Sequence, residues 1–397
     1  MMASHAHPDE DSRSPVATLE AQFFVWGPGI CLGCGDANEG RPGSPHTVLA
    51  PYWCEKLHGK LAMRAYQVSK RGGDLSIRVR GSRVDIGGNF HIIKMQSDQG
   101  RSKLGVSLPV FIVDAFTGQP FSGNPAAVCL VEGRQDIPDH AKQSMAAEFN
   151  LSETAIVTKI RLQDGFDTGS KFSLRWFTPT NEVPLCGHAT VAAAAVLFFC
   201  CNNPNEKIEF ETMSGILGVR KQGRMIVMDF PSYKPMQLDA KQKKDAQPLI
   251  KGILKDLLPA DTAYCPVTKK LLVRLEDFCS RTMLEELEVS GEKLMNLHDG
   301  SLFKGVIVTV KGGSEASGGY DFFSRYFAPW NGILEDPVTG SAHTILAPYW
   351  SEKLKGKQVM HAHQCSKRGG DLNLKLRGSR VDIGGNFHII VKGVIHI

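Results

Sequence analysis

Glu182-Val-Pro-Leu-Cys-Gly-His-Ala-Thr-Val-Ala-Ala-Ala-Ala-Val-Leu-Phe-Phe-Cys-Cys201 is the stretch that decides the fold class. From Ala189 to Cys201 it holds small and apolar residues and no polar face, the composition of a helix buried on every side. Its start, Cys186-Gly-His-Ala-Thr190, has a counterpart far downstream in Thr339-Gly-Ser-Ala-His-Thr344, which opens a second expected helix over Ala342–Leu354. Short strand-like runs surround each helix. Around the first stand Val110–Phe116, Thr154–Lys159, Phe172 to Pro179, Lys207–Thr212, Gly218–Lys221 and Met225–Phe230. Around the second lie 270–276, 304–311 and closing strands near 359–365, 371–377 and 380–383, with helical character over Thr282–Val289. Strands and helices do not alternate as βαβ units, so the expectation is a duplicated α+β architecture with one central helix per half.

The chain has 397 residues, too many for one ordinary domain. Residues 107–231 read as the first half and 232–397 as the second, with the charged stretch Ser232–Gln247 as a candidate hinge. Residues 1–106 form an N-terminal extension, and within it residues 46–93 repeat 343–390 without a gap, at an offset of 297 and with 36 of 48 positions identical. A pattern that occurs twice, at the two ends, is a segmental copy and not a solenoid. Upstream the copies part: Glu335-Asp-Pro-Val-Thr-Gly-Ser-Ala342 faces Asn38-Glu-Gly-Arg-Pro-Gly-Ser-Pro45, so the N-terminal copy lacks the Asp-bearing turn. Carrying strands without their partners, it is expected to dock on the body or to be poorly ordered, with no activity of its own.

A hydrophobic fraction of 42% and a charged fraction of 22% suit a chain with a real core. The net charge of +5 is mild, and Lys and Arg are scattered, which argues against nucleic acid as a partner. The longest apolar run, Val191–Cys201, is far shorter than the ~20 residues that cross a bilayer. The start of the chain is polar and acidic, unlike a secretory signal, and the ten cysteines show no framework spacing. A reducing, cytoplasmic compartment is therefore expected. Cys31-Leu-Gly-Cys34 lacks a second ligand pair for zinc, and the sequence holds no Walker loop or dinucleotide fingerprint.

Both expected helices begin with glycine and small residues. Exposed N–H groups at such ends attract carboxylates, and two of them facing each other would hold a small anion through Gly187, Ala189 and Thr190 on one side and Gly340 and Ala342 on the other. Ordinary caps with small residues chosen for packing are the alternative. Titratable groups nearby are Glu153, His188 and Asp336. Glu153 lies among apolar strand residues, where a raised pKa would suit proton abstraction and return. Lys367-Arg-Gly-Gly-Asp371 and its copy Lys70-Arg-Gly-Gly-Asp74 read as solvated basic turns.

From about Pro109 to Val391, roughly seven tenths of its length, the chain resembles the PhzF family of phenazine-biosynthesis proteins. The motifs that carry the resemblance are Asp114-Ala-Phe-Thr, Gly123-Asn-Pro-Ala-Ala-Val, Asn150-Leu-Ser-Glu-Thr-Ala, Arg175-Trp-Phe-Thr-Pro, Glu182 to Thr190, Ser324-Arg-Tyr-Phe-Ala-Pro-Trp and Glu335 to His343, in that order. The resemblance implies a diaminopimelate-epimerase-like fold of two pseudo-symmetric halves, each a barrel-like sheet around a central helix, with the active site in the cleft between them. It implies Glu153 as the proton shuttle, supported by His188, Asp336 and Ser341, and no cofactor. A homodimer is compatible with it. Related epimerases use a cysteine on each side of the substrate, whereas here only Cys186 is present. A one-base isomerase acting on a small carboxylate-bearing metabolite is the expectation. A one-thiol epimerase, and a scaffold that keeps the fold while binding another protein, are the alternatives.

Overall fold

A computed structural model describes residues 106–397 except 134–136, 162 and 314–317. In the first hundred residues it describes Glu55 and the strands Thr18–Gln22, Ala62–Val68, Asp74–Arg80 and Arg83–Gly88. The chain divides into two units, 1–92 and 93–397.

In the larger unit the first half lays down seven strands as neighbours: Ser107–Ala115, Asn124–Val131, Glu153–Lys159, Lys171–Phe177, Lys207–Thr212, Gly215–Gln222 and Met225–Pro231. Their successive pairings are antiparallel, parallel, antiparallel, parallel, antiparallel and antiparallel. The second half repeats that series with Pro259–Cys265, Lys270–Leu275, Gly305–Lys311, Phe322–Ala328, Val359–Gln364, Gly370–Arg377 and Arg380–Gly385. The last strands of the two series pair with each other, Met228 opposite Ile383. Those two residues hold equivalent places in their halves, so the pseudo-twofold axis passes between them.

Each series wraps one helix. Gly187–Ala195 is buried at every residue from His188 to Ala195, and Gly340–Lys353 is buried over most of its length. A helix of alanines can be enclosed this closely because its side chains are small enough for strands to approach on all sides. A π-helical turn over Val196–Cys200 ends the first helix.

Two segments depart from the sequence expectation. The candidate hinge Ser232–Gln247 is only partly a connector. Asp239 caps a helix over Ala240–Leu254: its carboxylate accepts from the Gln242 N–H, and its own N–H donates to the Gln242 side chain. The lysines at 241, 243 and 244 hide an amphipathic helix whose Ala246, Leu249, Ile253 and Leu254 are buried. The chain's last strand, Phe387–His396, lies beyond the expected closing strands and returns to pair antiparallel with Ser107–Ala115 in the first half. Its counterpart is the short strand Met236–Gln237, which pairs with Pro259–Cys265. Each half thus receives a strand from just after the other's final strand.

In the smaller unit, Ala62–Val68, Asp74–Arg80 and Arg83–Gly88 form an antiparallel meander. Ala62 faces Arg78 as Val359 faces Lys375, so the copy keeps the register of its original. Thr18–Gln22 runs parallel to Ala62–Val68, the relation that Phe322–Ala328 bears to Val359–Gln364. The Cys31/Cys34 pair and the turn upstream of His46 lie outside the described residues. No helix among the described residues is long and apolar enough to cross a membrane.

Candidate active site

The two central helices meet end to end. A methyl group built on Gly187 would already lie 3.5 Å from the Gly340 Cα, so any longer side chain at either glycine would fill the space between the N-termini. Neither end is capped by a side chain. The cap residues are engaged elsewhere: the Thr339 hydroxyl donates to Asp336 Oδ2 (2.6 Å), and the Cys186 sulfur lies 3.5 Å from His188 Nδ1. Helix N-termini of this kind expose N–H groups that attract anions. Around the junction opens a cleft of about 670 Å³, whose lining includes Glu153, Cys186, Gly187, His188, Asp336, Thr339, Gly340 and Ser341.

Strand Glu153–Lys159 brings Glu153 to the cleft beside His188 in the first turn of its helix. Glu153 Oε2 lies 3.1 Å from His188 Nε2, with both side chains at least nine-tenths buried. That oxygen is buried and has no partner of strict hydrogen-bond geometry among the described residues, while the side chains of His188, Ser152 and Cys186 surround the carboxylate. The Ser152 hydroxyl sits 3.1 Å from the same imidazole nitrogen. Asn124 joins the halves: its amide donates to Asp336 Oδ1 (2.6 Å) and to the Val338 carbonyl (3.0 Å), and lies 3.1 Å from His188 Nδ1. Gln364 closes the second-half side, donating to the Asp336 carbonyl (2.6 Å) and accepting from the Thr339 N–H (2.9 Å).

Burial and charge compete at each of these groups. Burial is the strongest single influence and works against ionised Glu153, but the His188 charge together with hydrogen bonds from His188, Ser152 and Cys186 outweighs it and holds the carboxyl below its ordinary value. This corrects the expectation of a raised pKa. Burial also opposes an imidazolium, yet the adjacent Cys186 sulfur and Glu153 carboxylate hold the His188 pKa well above the usual range. Asp336, with no cation in contact, is pushed up by burial to about 6. Burial raises the Cys186 thiol to about 11 and lowers the fully buried His343 to about 4.

The structure brings Glu153 and His188 into contact and connects Asp336 to them through Asn124. Ser341 lines the same cleft beside Gly340, and no hydrogen bond ties its side chain to the other three among the described residues. Of the five candidate anion contacts, Gly187 and Gly340 line the cleft. Ala189 and Ala342 belong to the core, and the Thr190 hydroxyl turns back onto the Cys186 carbonyl (2.5 Å). Glu153, Cys186 and His188 offer oxygen, sulfur and nitrogen atoms within 4.8 Å of one another, a set that could hold a metal ion if the thiol lost its proton. Site reasoning from sequence missed Asn124, Ser152 and Gln364. The first two lie in the motifs Gly123-Asn-Pro and Asn150-Leu-Ser, whereas nothing local to Gln364 marks it.

The pseudo-symmetry extends to the strands that frame the cleft. Arg175 grips Glu182 through two bonds of 2.7 Å, and Arg325 grips Glu335 through bonds of 2.7 and 2.9 Å. These bidentate pairs fix the Arg-Trp-Phe-Thr-Pro and Arg-Tyr-Phe-Ala-Pro turns on opposite walls.

Two helix-centred sheets related by a pseudo-twofold, with a carboxylate–imidazole pair at their junction, constitute the diaminopimelate-epimerase-like α+β fold. Residues 113–393 match the sequence family described as phenazine biosynthesis-like protein, and the chain belongs to that PhzF family. It is 50% identical over 295 residues to the phenazine biosynthesis-like domain-containing protein of Bos taurus, covering 73% of this chain and 99% of that one. A Pseudomonas aeruginosa protein described as an uncharacterized isomerase is 41% identical over 285 residues, covering 72% of this chain and 97% of its own. A PhzF-family phenazine biosynthesis protein of Enterococcus faecalis superposes with a TM-score of 0.63 at 36% identity, over 74% of this chain and 100% of that one.

Proposed function

We propose that the cleft is the active site of an isomerase that moves a proton within a small carboxylate-bearing metabolite, with Glu153 as its single base. The observation that carries this reading is the Glu153 carboxylate: held ionised 3.1 Å from His188, and lining the same cleft as Gly187 and Gly340 at the two helix N-termini. The helix ends hold the substrate carboxylate at Gly187 and Gly340. Glu153 takes a proton from carbon, the C–H electron pair moves into the substrate's unsaturated system, and the protonated Glu153, whose O–H exchanges with solvent, delivers a proton to another carbon. His188 keeps the base ionised, and Asn124 with Asp336 holds the imidazole in place.

Cys186 is poorly suited to be a second base, since burial keeps its thiol protonated, and its counterpart across the pseudo-twofold is Thr339. The relative described as an isomerase supports the same reaction class. Described cysteines such as Cys186 and Cys365 are free thiols, which supports a cytoplasmic setting. The test is deuterium incorporation from D2O into a panel of cyclic unsaturated carboxylates, read by mass spectrometry. One or more compounds should gain a single deuterium with the native protein. Glu153→Gln should lower that rate by roughly 10²–10⁴-fold with folding intact. Undiminished exchange in the variant would refute the assignment.

A further inference from the structure

The second-half wall of the cleft carries a charge that proton transfer at Glu153 leaves unused. Lys270 begins the strand Lys270–Leu275, lines the cleft and is 8% exposed. Among the described residues its ammonium makes no ion pair or hydrogen bond, and it sits 5.5 Å over the Tyr326 ring. Tyr326 lines the same cleft at 6% exposure, and its hydroxyl likewise has no hydrogen-bond partner among the described residues. Two polar side chains, each more than nine-tenths buried, therefore face the cleft without a protein partner. Such groups are costly to hold unless something else satisfies them.

Pseudo-symmetry shows that the arrangement is particular to this half. Thr154 pairs with Phe177 as Val306 pairs with Phe327, which puts Gly305 at the place of Glu153. Ala126 pairs with Glu153, and Lys270 pairs with Gly305, so Lys270 takes the place of Ala126. At this pair of equivalent strand positions the first half carries Glu153 beside an alanine, and the second carries a glycine beside Lys270. Gly305 is needed for this: any side chain there would collide with the Tyr326 phenol.

We propose that Lys270 and the Tyr326 hydroxyl form an anion-binding subsite, so that the substrate is a dianion. One carboxylate rests on the facing helix ends, and a second anionic oxygen group rests on Lys270. The place of the first carboxylate depends on the proton-transfer reading, while the Lys270 subsite has its own test. Burial lowers the Lys270 pKa to about 8, which leaves it protonated at neutral pH.

Isophthalate and 3-carbamoylbenzoate have nearly the same shape and differ by one negative charge, so calorimetric titration of both at pH 7 isolates the subsite. The native protein should bind isophthalate at least tenfold more tightly. Lys270→Met should bring the ratio close to one, and Tyr326→Phe should reduce it in part. Without ligand, Lys270→Met should melt above the native protein, the opposite of what loss of a structural lysine would produce. Equal affinities in the native protein, no binding of either compound, or a ratio that survives in Lys270→Met would overturn the proposal. Glu153→Gln should keep the ratio while losing exchange, so failure of the subsite and failure of the base are told apart.

Discussion

Among the described residues neither Asp336 nor Lys270 has an ion-pair contact, although the two attract each other, and each should reveal itself in the pH dependence of stability. Asp336 has a folded pKa of about 6 against an ordinary 3.8. Its contribution is fully present below about pH 4 and is lost as pH rises through 6. Asp336→Asn should therefore flatten the stability profile between pH 4 and 6 and stabilise the protein at pH 7–8 by up to about 3 kcal/mol. Chemical denaturation across pH would show this; an unchanged profile would contradict it. Lys270 runs the other way: its folded pKa of about 8 lies below the ordinary 10.5, so its penalty is present below pH 8 and is relieved toward 10.5. The expected gain of Lys270→Met at pH 7 is also about 3 kcal/mol. The sequence expectation for Glu153 failed at this scale for a simple reason. Local apolar neighbours were visible, but the imidazole 3.1 Å away belongs to a residue on another element.

At the scale of elements, the turn Lys367-Arg-Gly-Gly-Asp371 connects the halves and is not merely solvated. Arg368 donates to Asp114 (2.7 Å) and to the carbonyls of Ser122 (3.0 Å) and Gly123 (2.8 Å), and the Gly123 N–H donates to the Gly369 carbonyl (2.8 Å). Gly123 is in the left-handed region (φ 68°), and a side chain there would strike the Ala115 carbonyl. This clamp holds Asn124, which in turn positions His188 and Asp336. Arg368→Met would leave the buried Asp114 carboxylate, among the described residues, with the Phe121 N–H (2.7 Å) and the neighbouring His388. The guanidinium is one-third exposed, which limits the loss to about 2 kcal/mol. Proton exchange should slow as well, because Asn124 loses its anchor. Unaltered denaturant midpoint and exchange rate would show that the clamp does nothing. The motif was legible in sequence, but its partners lie some 250 positions away.

For the whole molecule, the crossing of Phe387–His396 onto Ser107–Ala115 makes the halves one cooperative body. Deleting residues 387–397 would expose the edge of a strand whose Leu108, Val110 and Val113 are buried. The truncated chain should lose both halves in one transition at a much lower temperature, or aggregate. A normal melting curve would refute this. The N-terminal copy repeats the meander and its register but not the Asp-bearing turn, so limited proteolysis should remove residues 1–105 before cutting the rest. Equal resistance would count against that expectation.

The central helices, the glycines at their starts and the duplicated plan were determined by sequence alone, because an all-apolar helical stretch and a repeated Gly-small pattern admit few other arrangements. The motifs around Glu153, His188 and Asp336 were equally plain. Only the tertiary structure decided that Gly187 meets Gly340, that Asn124 bridges the halves, that Arg368 clamps the first-half turn and that Lys270 lines the cleft. Each of these is a contact between residues far apart in the chain, and spacing along a sequence holds no record of distance across a fold.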